Sequence, residues 1–348
     1  MQSLERFTEF SLINKLTKDF KQHPDQVNKR HQSDSEILLQ PDGSFLAVTI
    51  DTLQEEYSLG LIRDPFTVGW SVVSHSLSDL AAVGAKPIGV LLAVNLSQTS
   101  DSKWAEDFFG GVQASLDAHS TYCLGGDTNF SDSPSFTCTA LGRVDHPKPL
   151  SRIGAESGDP IYVTGLLGMG NLLGIASHAD KKLWEKLEKE YRPYAKIREV
   201  CSLFQWLKCA IDTSDALIQA LAILGSLNNI GAHFYNSRDF YDPRLINITD
   251  NLRFPLWLVN VFGMGEYEIV FTVEPWEEEG FLRDASEKGI FVKKIGEMRS
   301  KPGISAAIDG NTFELDVPYL LNLFGTCGSV EKYLEALIKY DNHLRASL

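Results

Sequence analysis

The alternation of short apolar runs with longer segments of helical period is the feature that most constrains this chain. Runs rich in β-branched and aromatic residues predict strands at 45–51, 88–96, 135–144, 159–165, 267–273, 291–298 and 304–309. Amphipathic patterns predict helices at 65–85, 101–120, 181–192 and 215–227. Strands and helices mixed in this way along one chain predict an α/β or α+β fold.

The length of the chain and one polar segment predict two domains. A chain of 348 residues is longer than one hydrophobic core usually serves. Between Val144 and Asp159 the sequence DHPKPLSRIGAESG is rich in proline, glycine and polar residues, as linkers are. We therefore predict an N-terminal domain over residues 1–150 and a C-terminal α/β domain over residues 151–348.

Charge and hydropathy limit the partners of the chain. The 46 acidic and 32 basic residues give a net charge of −14 at pH 7, which opposes binding to a polyanion. The longest apolar stretch, 88–96, is far shorter than the ~20 residues that cross a bilayer. The first twenty residues lack the apolar core of a secretion signal. We expect a cytoplasmic protein that binds neither nucleic acid nor membrane.

Aspartates at the ends of apolar segments are the candidate chemical groups, since no P-loop, HExxH or GxSxG motif is present. Singly, each is better explained as a turn or helix-capping residue. Asp79 also lies off the apolar stripe of its helix, a position that periodicity predicts to be solvated. Gathered together, such carboxylates repel one another and call for cations, of which Mg²⁺ is the expected one. The aspartates are Asp34, Asp51, Asp79, Asp127 and Asp215.

Several segments together resemble the thiamine-monophosphate kinases of the aminoimidazole-ribonucleotide-synthetase superfamily. The most specific are LSDLAAVGAKP (77–87) and GGDT (125–128), with DT at 51–52 before them. The match continues through SRIGAESGDPIYVTGLLG (151–168), IDTSDAL (211–217) and GMGEYEIVFTV (263–273), and covers about residues 9–324. The segment 329–348 lies beyond the match.

The resemblance implies a two-domain α/β fold whose N-terminal domain binds ATP and Mg²⁺ and whose N-terminal sheets pair across a homodimer. It also implies ATP-dependent, Mg²⁺-assisted phosphorylation of thiamine phosphate to thiamine diphosphate. Such transfer asks the protein mainly for positioning and charge stabilisation.

The resemblance assigns roles residue by residue. It implies that Asp127 and Asp215 are catalytic. The positions that it implies for metal binding are Asp34, Thr49, Asp51, Asp79, Asp127 and Asp215. Those that it implies for the nucleotide are Gly125, Gly126, Arg152 and Ser214. Those that it implies for the substrate are Ser58, Glu266 and Phe324.

The chain departs from the family pattern mainly at positions that contact the acceptor. Ser58 replaces a substrate-contacting histidine, and Gly265 aligns with a substrate-contacting glutamate. Ser35 replaces a metal carboxylate, and Asn129 replaces an arginine. Two alternatives therefore stay open: a related ATP-using enzyme with another phosphorylated acceptor, and a catalytically inactive nucleotide-binding or scaffold protein.

Overall fold

The computed structural model describes residues 8–99 and 101–346 and has a mixed α/β architecture with two sheets. The strands are β1 Glu36–Leu39, β2 Phe45–Thr52, β3 Lys86–Ser97, β4 Cys123–Ser131, β5 Ser135–Val144, β6 Pro160–Val163, β7 Leu207–Asp212, β8 Gly231–Phe234, β9 Ile269–Val273, β10 Lys293–Arg299, β11 Gly303–Ile308 and β12 Asn311–Leu315. The helices are α1 Thr8–Thr17, α2 Glu55–Ser58, α3 Pro65–Ala82, α4 Ser102–Ala118, α5 Met169–Ala179, α6 Lys181–Glu190, α7 Ile197–Leu203, α8 Leu217–Leu227, α9 Pro243–Leu252, α10 Glu278–Glu287, α11 Val317–Cys327 and α12 Val330–Arg345.

The first sheet has five strands in the order β1-β2-β5-β3-β4, and all of them precede residue 150. Its pairs are antiparallel except β3 with β4, which are parallel. The second sheet has seven strands in the order β12-β11-β8-β10-β6-β9-β7, all after residue 159. The alternation of runs and helical patterns therefore predicted the fold class correctly.

Helix α3 connects the two sheets and positions the site described below. It begins at Pro65, capped by the Asp64 carboxylate, which accepts a hydrogen bond from the backbone N–H of Thr67. It packs on β2 and β5 of the first sheet and contacts β7 and β9 of the second. Gly69 allows α4 to approach, because a Cβ there would lie 1.9 Å from the Phe108 carbonyl oxygen. A helix enclosed on most sides has few solvent-facing positions.

One apolar core spans both sheets. Ile37 and Val72 from the first part of the chain belong to the same buried cluster as Ile161 and Leu221 from the second. Within the described residues, no helix has the length and apolar content needed to cross a bilayer.

Candidate active site

Carboxylates from distant parts of the chain meet between the two sheets. Oxygens of Asp34, Asp79 and Asp212 all lie within 4.8 Å of one another. Asp34 precedes β1, Asp79 lies in the last turn of α3, and Asp212 ends β7. The expectation that Asp79 is solvated was wrong, because α3 is enclosed between the sheets and the side chain projects into this cluster.

Strand β2 adds two further groups to this aspartate cluster. The Thr49 hydroxyl donates a hydrogen bond to Asp79, and the Asp51 carboxyl is hydrogen-bonded to Asp79 and Ser76. Thr49 and Asp51 are two residues apart on a strand and therefore share a face, which is the face that packs on α3. A hydrogen bond between two carboxyl groups requires a proton on one of them.

The electrostatics of the cluster favour proton uptake. Burial raises the pKa of Asp79 well above its ordinary value, and the neighbouring charges of Asp51, Asp212 and Asp34 raise it further. Burial, with the charge of Asp34, raises the pKa of Asp212 to about 8. Burial also raises the pKa of Asp51. A cation that replaces the bound protons would therefore stabilise the clustered carboxylates.

Arg152 supplies a positive charge at one side of the cluster. Its Nη2 lies 2.8 Å from Asp34 Oδ1 and its Nε lies 3.3 Å from Asp34 Oδ2, a two-pronged ion pair. The Asp34 side chain is 1% exposed, and the backbone N–H of Arg152 donates to the carbonyl of Gln32. One guanidinium does not balance the clustered carboxylates, so the site retains an excess of acidic groups.

The donor set fits Mg²⁺, which prefers hard oxygen ligands and keeps part of its water shell. Besides the carboxylates, the hydroxyl oxygens of Ser33 and Ser35 are buried on either side of Asp34 and have no hydrogen-bond partner in the structure. Buried hydroxyls without partners are costly, and ordered water around a bound ion would satisfy them.

Asp212 is a member of the cluster that sequence reasoning did not single out. Its two oxygens accept hydrogen bonds from Ser78 at 2.9 Å and from Ser214 at 3.0 Å. Asp215, which was predicted, is exposed and accepts a hydrogen bond from Gln219. One signal in the sequence could have found it. Asp212 directly follows LKCAI (207–211), a mostly apolar run that is typical of a strand, so its carboxylate is predicted at a strand end.

Asp127 is not among the grouped carboxylates of the described residues. It lies in the exposed edge strand β4 and accepts a hydrogen bond from Asn129 Nδ2 at 2.7 Å. GGDT is thus part of a strand. A Cβ at Gly126 would lie 2.1 Å from the Leu92 carbonyl oxygen, so this glycine is required for the close pairing of β3 and β4.

Two adjacent cavities lie beside the cluster. The small cavity, of about 110 Å³, is lined by Arg152, Asp212 and the apolar side chains of α8. The large cavity, of about 360 Å³, is mainly apolar. Both cavities are lined by Ser214, Asp215 and Gln219. These residues therefore form a shared wall between the clustered carboxylates and the large apolar cavity.

The large cavity contains one of the three predicted substrate residues. Phe324 lines it, with its ring edge-to-face against Tyr333 of α12 at 5.3 Å between ring centroids. Ser58 and Glu266 are not among its lining residues. A Cβ at Gly265 would lie 2.5 Å from the ring of Tyr267, so this position has no room for a side chain.

Comparisons with known proteins identify the family of this chain. Residues 32–144 match the family model described as AIR synthase related protein, N-terminal domain. The chain is 31% identical over 276 residues to the thiamine-monophosphate kinase of Buchnera aphidicola subsp. Schizaphis graminum, covering 77% of this chain and 83% of that one. It is 30% identical over 316 residues to the enzyme of that name from Escherichia coli, covering 88% and 96%.

A solved structure described as AaThiL complexed with AMPPCP and TMP has the same fold. Its TM-score is 0.73 at 22% identity, over 88% of this chain and 94% of that chain. Because these two relatives are at least 30% identical to this chain over 83% and 96% of their lengths, and because the fold is shared, the chain belongs to the thiamine-monophosphate kinase family.

Proposed function

We propose that the protein catalyses ATP-dependent transfer of a phosphoryl group to thiamine phosphate, giving thiamine diphosphate. The observation that carries this proposal is the wall of Ser214, Asp215 and Gln219, which separates the aspartate cluster from the large apolar cavity. A phosphoryl donor held at the carboxylates and an acceptor held in the cavity would meet at this wall.

On the donor side, the predicted ligands Asp34, Thr49, Asp51 and Asp79, with Asp212, would hold Mg²⁺. A bound Mg²⁺ supplies positive charge that offsets the phosphate oxygens. Asp127 and Asp215 remain predicted ligands and predicted catalytic residues. Arg152, Ser214, Gly125 and Gly126 remain the predicted nucleotide contacts, of which Arg152 and Ser214 line the small cavity.

On the acceptor side, the large cavity complements a cationic heteroaromatic molecule. Its lining residues include the aromatic Phe262, Phe324 and Tyr333 and the acidic Glu55, Glu56 and Asp215. The pKa of Glu56 is raised, mainly by burial. Aromatic walls attract cations as well as apolar surface, and the thiazolium ring of thiamine phosphate is a cation. This chemistry supports thiamine phosphate as the acceptor, with Phe324 as a contact.

We also propose that the protein is a homodimer joined through the first sheet. One face and one edge of this sheet carry exposed apolar side chains: Ile50, Tyr122, Leu124 and Phe130 are 66%, 71%, 53% and 68% exposed. Strand β4 is an edge strand, which leaves a row of backbone hydrogen-bonding groups available. An apolar surface next to such an edge favours pairing with a second copy.

The dimer would explain the isolated position of Asp127. Strands β5 and β3 separate β2 from β4, so Asp127 lies about three strand spacings, or ~14 Å, from the end of β2 where Asp51 lies. That separation is too large for both carboxylates of one protomer to bind one ion. We propose that Asp127 serves the site of the partner subunit.

The proposal also includes the predicted domain bounds and the predicted cellular location. The first sheet uses residues before 150 and the second uses residues after 159, which supports domains at 1–150 and 151–348. A cytoplasmic location fits an enzyme that consumes ATP.

The test is incubation of the protein with ATP, Mg²⁺ and thiamine phosphate, followed by separation of thiamine diphosphate and ADP. Equal amounts of the two products, absent without Mg²⁺ and absent with unphosphorylated thiamine, are expected. ADP release without thiamine diphosphate would replace this proposal by the related enzyme with another acceptor. Absence of Mg²⁺-dependent ATP binding in calorimetry would favour the inactive scaffold.

A further inference from the structure

The large cavity contains a polar group that the proposed function leaves without a role. Asn171, in the first turn of α5, lines the cavity wall and is buried, with 5% of its surface exposed. Its Oδ1 atom is buried and has no hydrogen-bond partner in the structure. An acceptor in this condition is destabilising unless a donor reaches it.

The orientation of the Asn171 amide is fixed by Glu266. Asn171 Nδ2 donates to Glu266 Oε1 at 2.7 Å, and the backbone N–H of Asn171 donates to the same oxygen at 3.1 Å. Glu266 Oε2 accepts from the backbone N–H groups of Gly168 and Gly170, at 2.8 and 3.2 Å. Burial raises the pKa of Glu266 to about 7, and the backbone N–H groups of Gly168, Gly170 and Asn171 oppose that shift by favouring the charged form. Above this pH the carboxylate accepts and does not donate, so Nδ2 faces Glu266 and the carbonyl end of the amide faces away from it.

Glu266 itself has little capacity left for a ligand. Both of its oxygens accept hydrogen bonds from the start of α5, where the helix dipole also favours a negative charge. The neighbouring loop closes tightly on this helix, because a Cβ at Gly170 would lie 2.1 Å from the Gly265 carbonyl oxygen. Glu266 therefore acts on the cavity through the side chain that it orients.

We propose that Asn171 is a substrate-specificity residue whose Oδ1 accepts a hydrogen bond from an amino group on the ring of the acceptor. Glu266 is its positioning residue. This inference rests on the proposed function, since the amino group in question is the one on the pyrimidine ring of thiamine phosphate. A site that presents an acceptor without a partner discriminates strongly against an analogue that cannot donate to it.

The experiment compares two acceptors: thiamine phosphate and oxythiamine phosphate, in which oxygen replaces the pyrimidine amino group. The unmodified protein should prefer thiamine phosphate in kcat/KM by at least tenfold. In Asn171→Ala we expect that preference to fall roughly ten- to hundredfold, through loss of turnover of thiamine phosphate, while turnover of the oxo analogue stays unchanged. Turnover of the analogue also shows that the variant is folded.

Two further variants separate recognition from structure. Glu266→Gln should also lower the preference for thiamine phosphate over the oxo analogue. Loss of the helix cap alone would not change this ratio of kcat/KM values. Leu334→Ala, which trims the apolar wall of the same cavity, should reduce turnover of both acceptors to a similar extent and leave the preference unchanged.

Each outcome decides the question. If Asn171→Ala still prefers thiamine phosphate over oxythiamine phosphate, this inference is overturned. Turnover of thiamine phosphate by the unmodified protein would still uphold the proposed function. Equal turnover of the two acceptors by the unmodified protein also overturns the inference alone. If the unmodified protein neither turns over nor binds thiamine phosphate in calorimetry with Mg²⁺ and ADP, both the proposed function and this inference fail.

Discussion

Asp212 combines the properties of a metal ligand with those of a destabilising buried charge. Hydroxyls of Ser78 and Ser214 orient its oxygens, yet burial and the charge of Asp34 raise its pKa. In the absence of a cation the folded protein must therefore protonate this group or tolerate repulsion between carboxylates. The same side chain becomes favourable when a divalent ion is present.

Substitution Asp212→Asn should therefore separate stability from activity. The amide keeps the shape and removes the buried charge, so we expect the melting temperature of the metal-free protein at pH 8 to rise. Thiamine diphosphate formation should fall roughly 100- to 1,000-fold, as when one group that stabilises transition-state charge is lost. Calorimetric melting with and without Mg²⁺, together with the assay that separates thiamine diphosphate from ADP, measures both effects.

The variant Asp215→Asn is the matched comparison, because it removes an exposed carboxylate three residues away. It should leave the metal-free melting temperature unchanged. Activity that is retained in Asp212→Asn and lost in Asp215→Asn would assign the metal-binding role to Asp215 and reject it for Asp212.

His75 predicts a specific dependence of stability on pH. The ring stacks on Tyr267 at 4.0 Å between centroids, and its Nδ1 lies 2.9 Å from the Tyr267 hydroxyl. Its Nε2 is buried and has no hydrogen-bond partner within residues 8–99 and 101–346. Burial lowers the pKa of His75 from 6.5 to about 3. Between these values the unfolded chain binds a proton that the folded protein does not, so stability falls as pH falls.

In metal-free protein, His75→Phe should flatten the acid limb of the stability curve. The change in unfolding free energy with pH between about 6 and 4 should be shallower than in the unmodified protein by up to ~1.4 kcal/mol per pH unit. Urea titrations at pH 7, 6, 5 and 4.5 give both curves. Parallel curves would show that His75 is protonated in the folded state.

At the level of elements, α12 forms part of the large cavity although it lies beyond the segments that resemble the family. Tyr333 and Leu334 of this helix line the cavity. The helix is anchored by the buried Asp341 carboxylate, which accepts from Trp257 Nε1 at 2.7 Å and from Arg345 Nε at 2.7 Å. Asp341 thus links this wall of the cavity to the buried indole of Trp257.

The substitution Asp341→Ala should loosen this wall. It leaves the buried indole N–H of Trp257 without an acceptor, which costs about 1–3 kcal/mol of unfolding free energy. The KM for thiamine phosphate should rise while the KM for ATP stays constant, because α12 lines the large cavity and not the small one. Steady-state kinetics and urea unfolding test both expectations.

The control for this prediction is Asp309→Ala. Asp309 pairs with Arg345 as well, but its side chain is 73% exposed, and exposed ion pairs contribute roughly 0–1 kcal/mol. A rise in both KM values in Asp341→Ala would indicate general destabilisation and contradict a specific role for α12.

For the assembled protein, the proposed dimer makes a quantitative prediction for mixed variants. If Asp127 serves the partner's site, a heterodimer of Asp127→Asn with Asp79→Asn has one complete site. Half of randomly formed dimers are heterodimers with one intact site of two, so co-expression should recover about one quarter of the normal activity. Each variant alone should be inactive.

Recovery of no activity, with heterodimers verified by differential tagging, would place both carboxylates in the same protomer's site. The oligomeric state itself is checked by sedimentation. Ile50→Asp places a charge on the exposed apolar face and should shift the protein toward the monomer, with loss of activity at low protein concentration.

Much of the element pattern was predictable because it is local. The strand at 135–144 and the start of the helix at 65 follow from alternation and from a proline next to a capping aspartate. Strand β4 was not predicted, because its glycines are typical of a turn. In the structure, Gly126 is needed because β3 approaches too closely to leave room for a side chain. Cys123 is exposed because it lies in this edge strand.

Residue types and their order along the chain were enough to predict the fold class and the family, and they also singled out Asp34, Asp51 and Asp79 of the aspartate cluster. Only the packing of the folded chain brings Asp212 to Asp34 and Asp79. The same packing places Asn171 on the cavity wall with a buried Oδ1 atom that has no hydrogen-bond partner among the described residues. Such groupings depend on the packing of helix α3 between two sheets and on the side to which each side chain turns. Local pattern does not encode distances between residues more than a hundred positions apart.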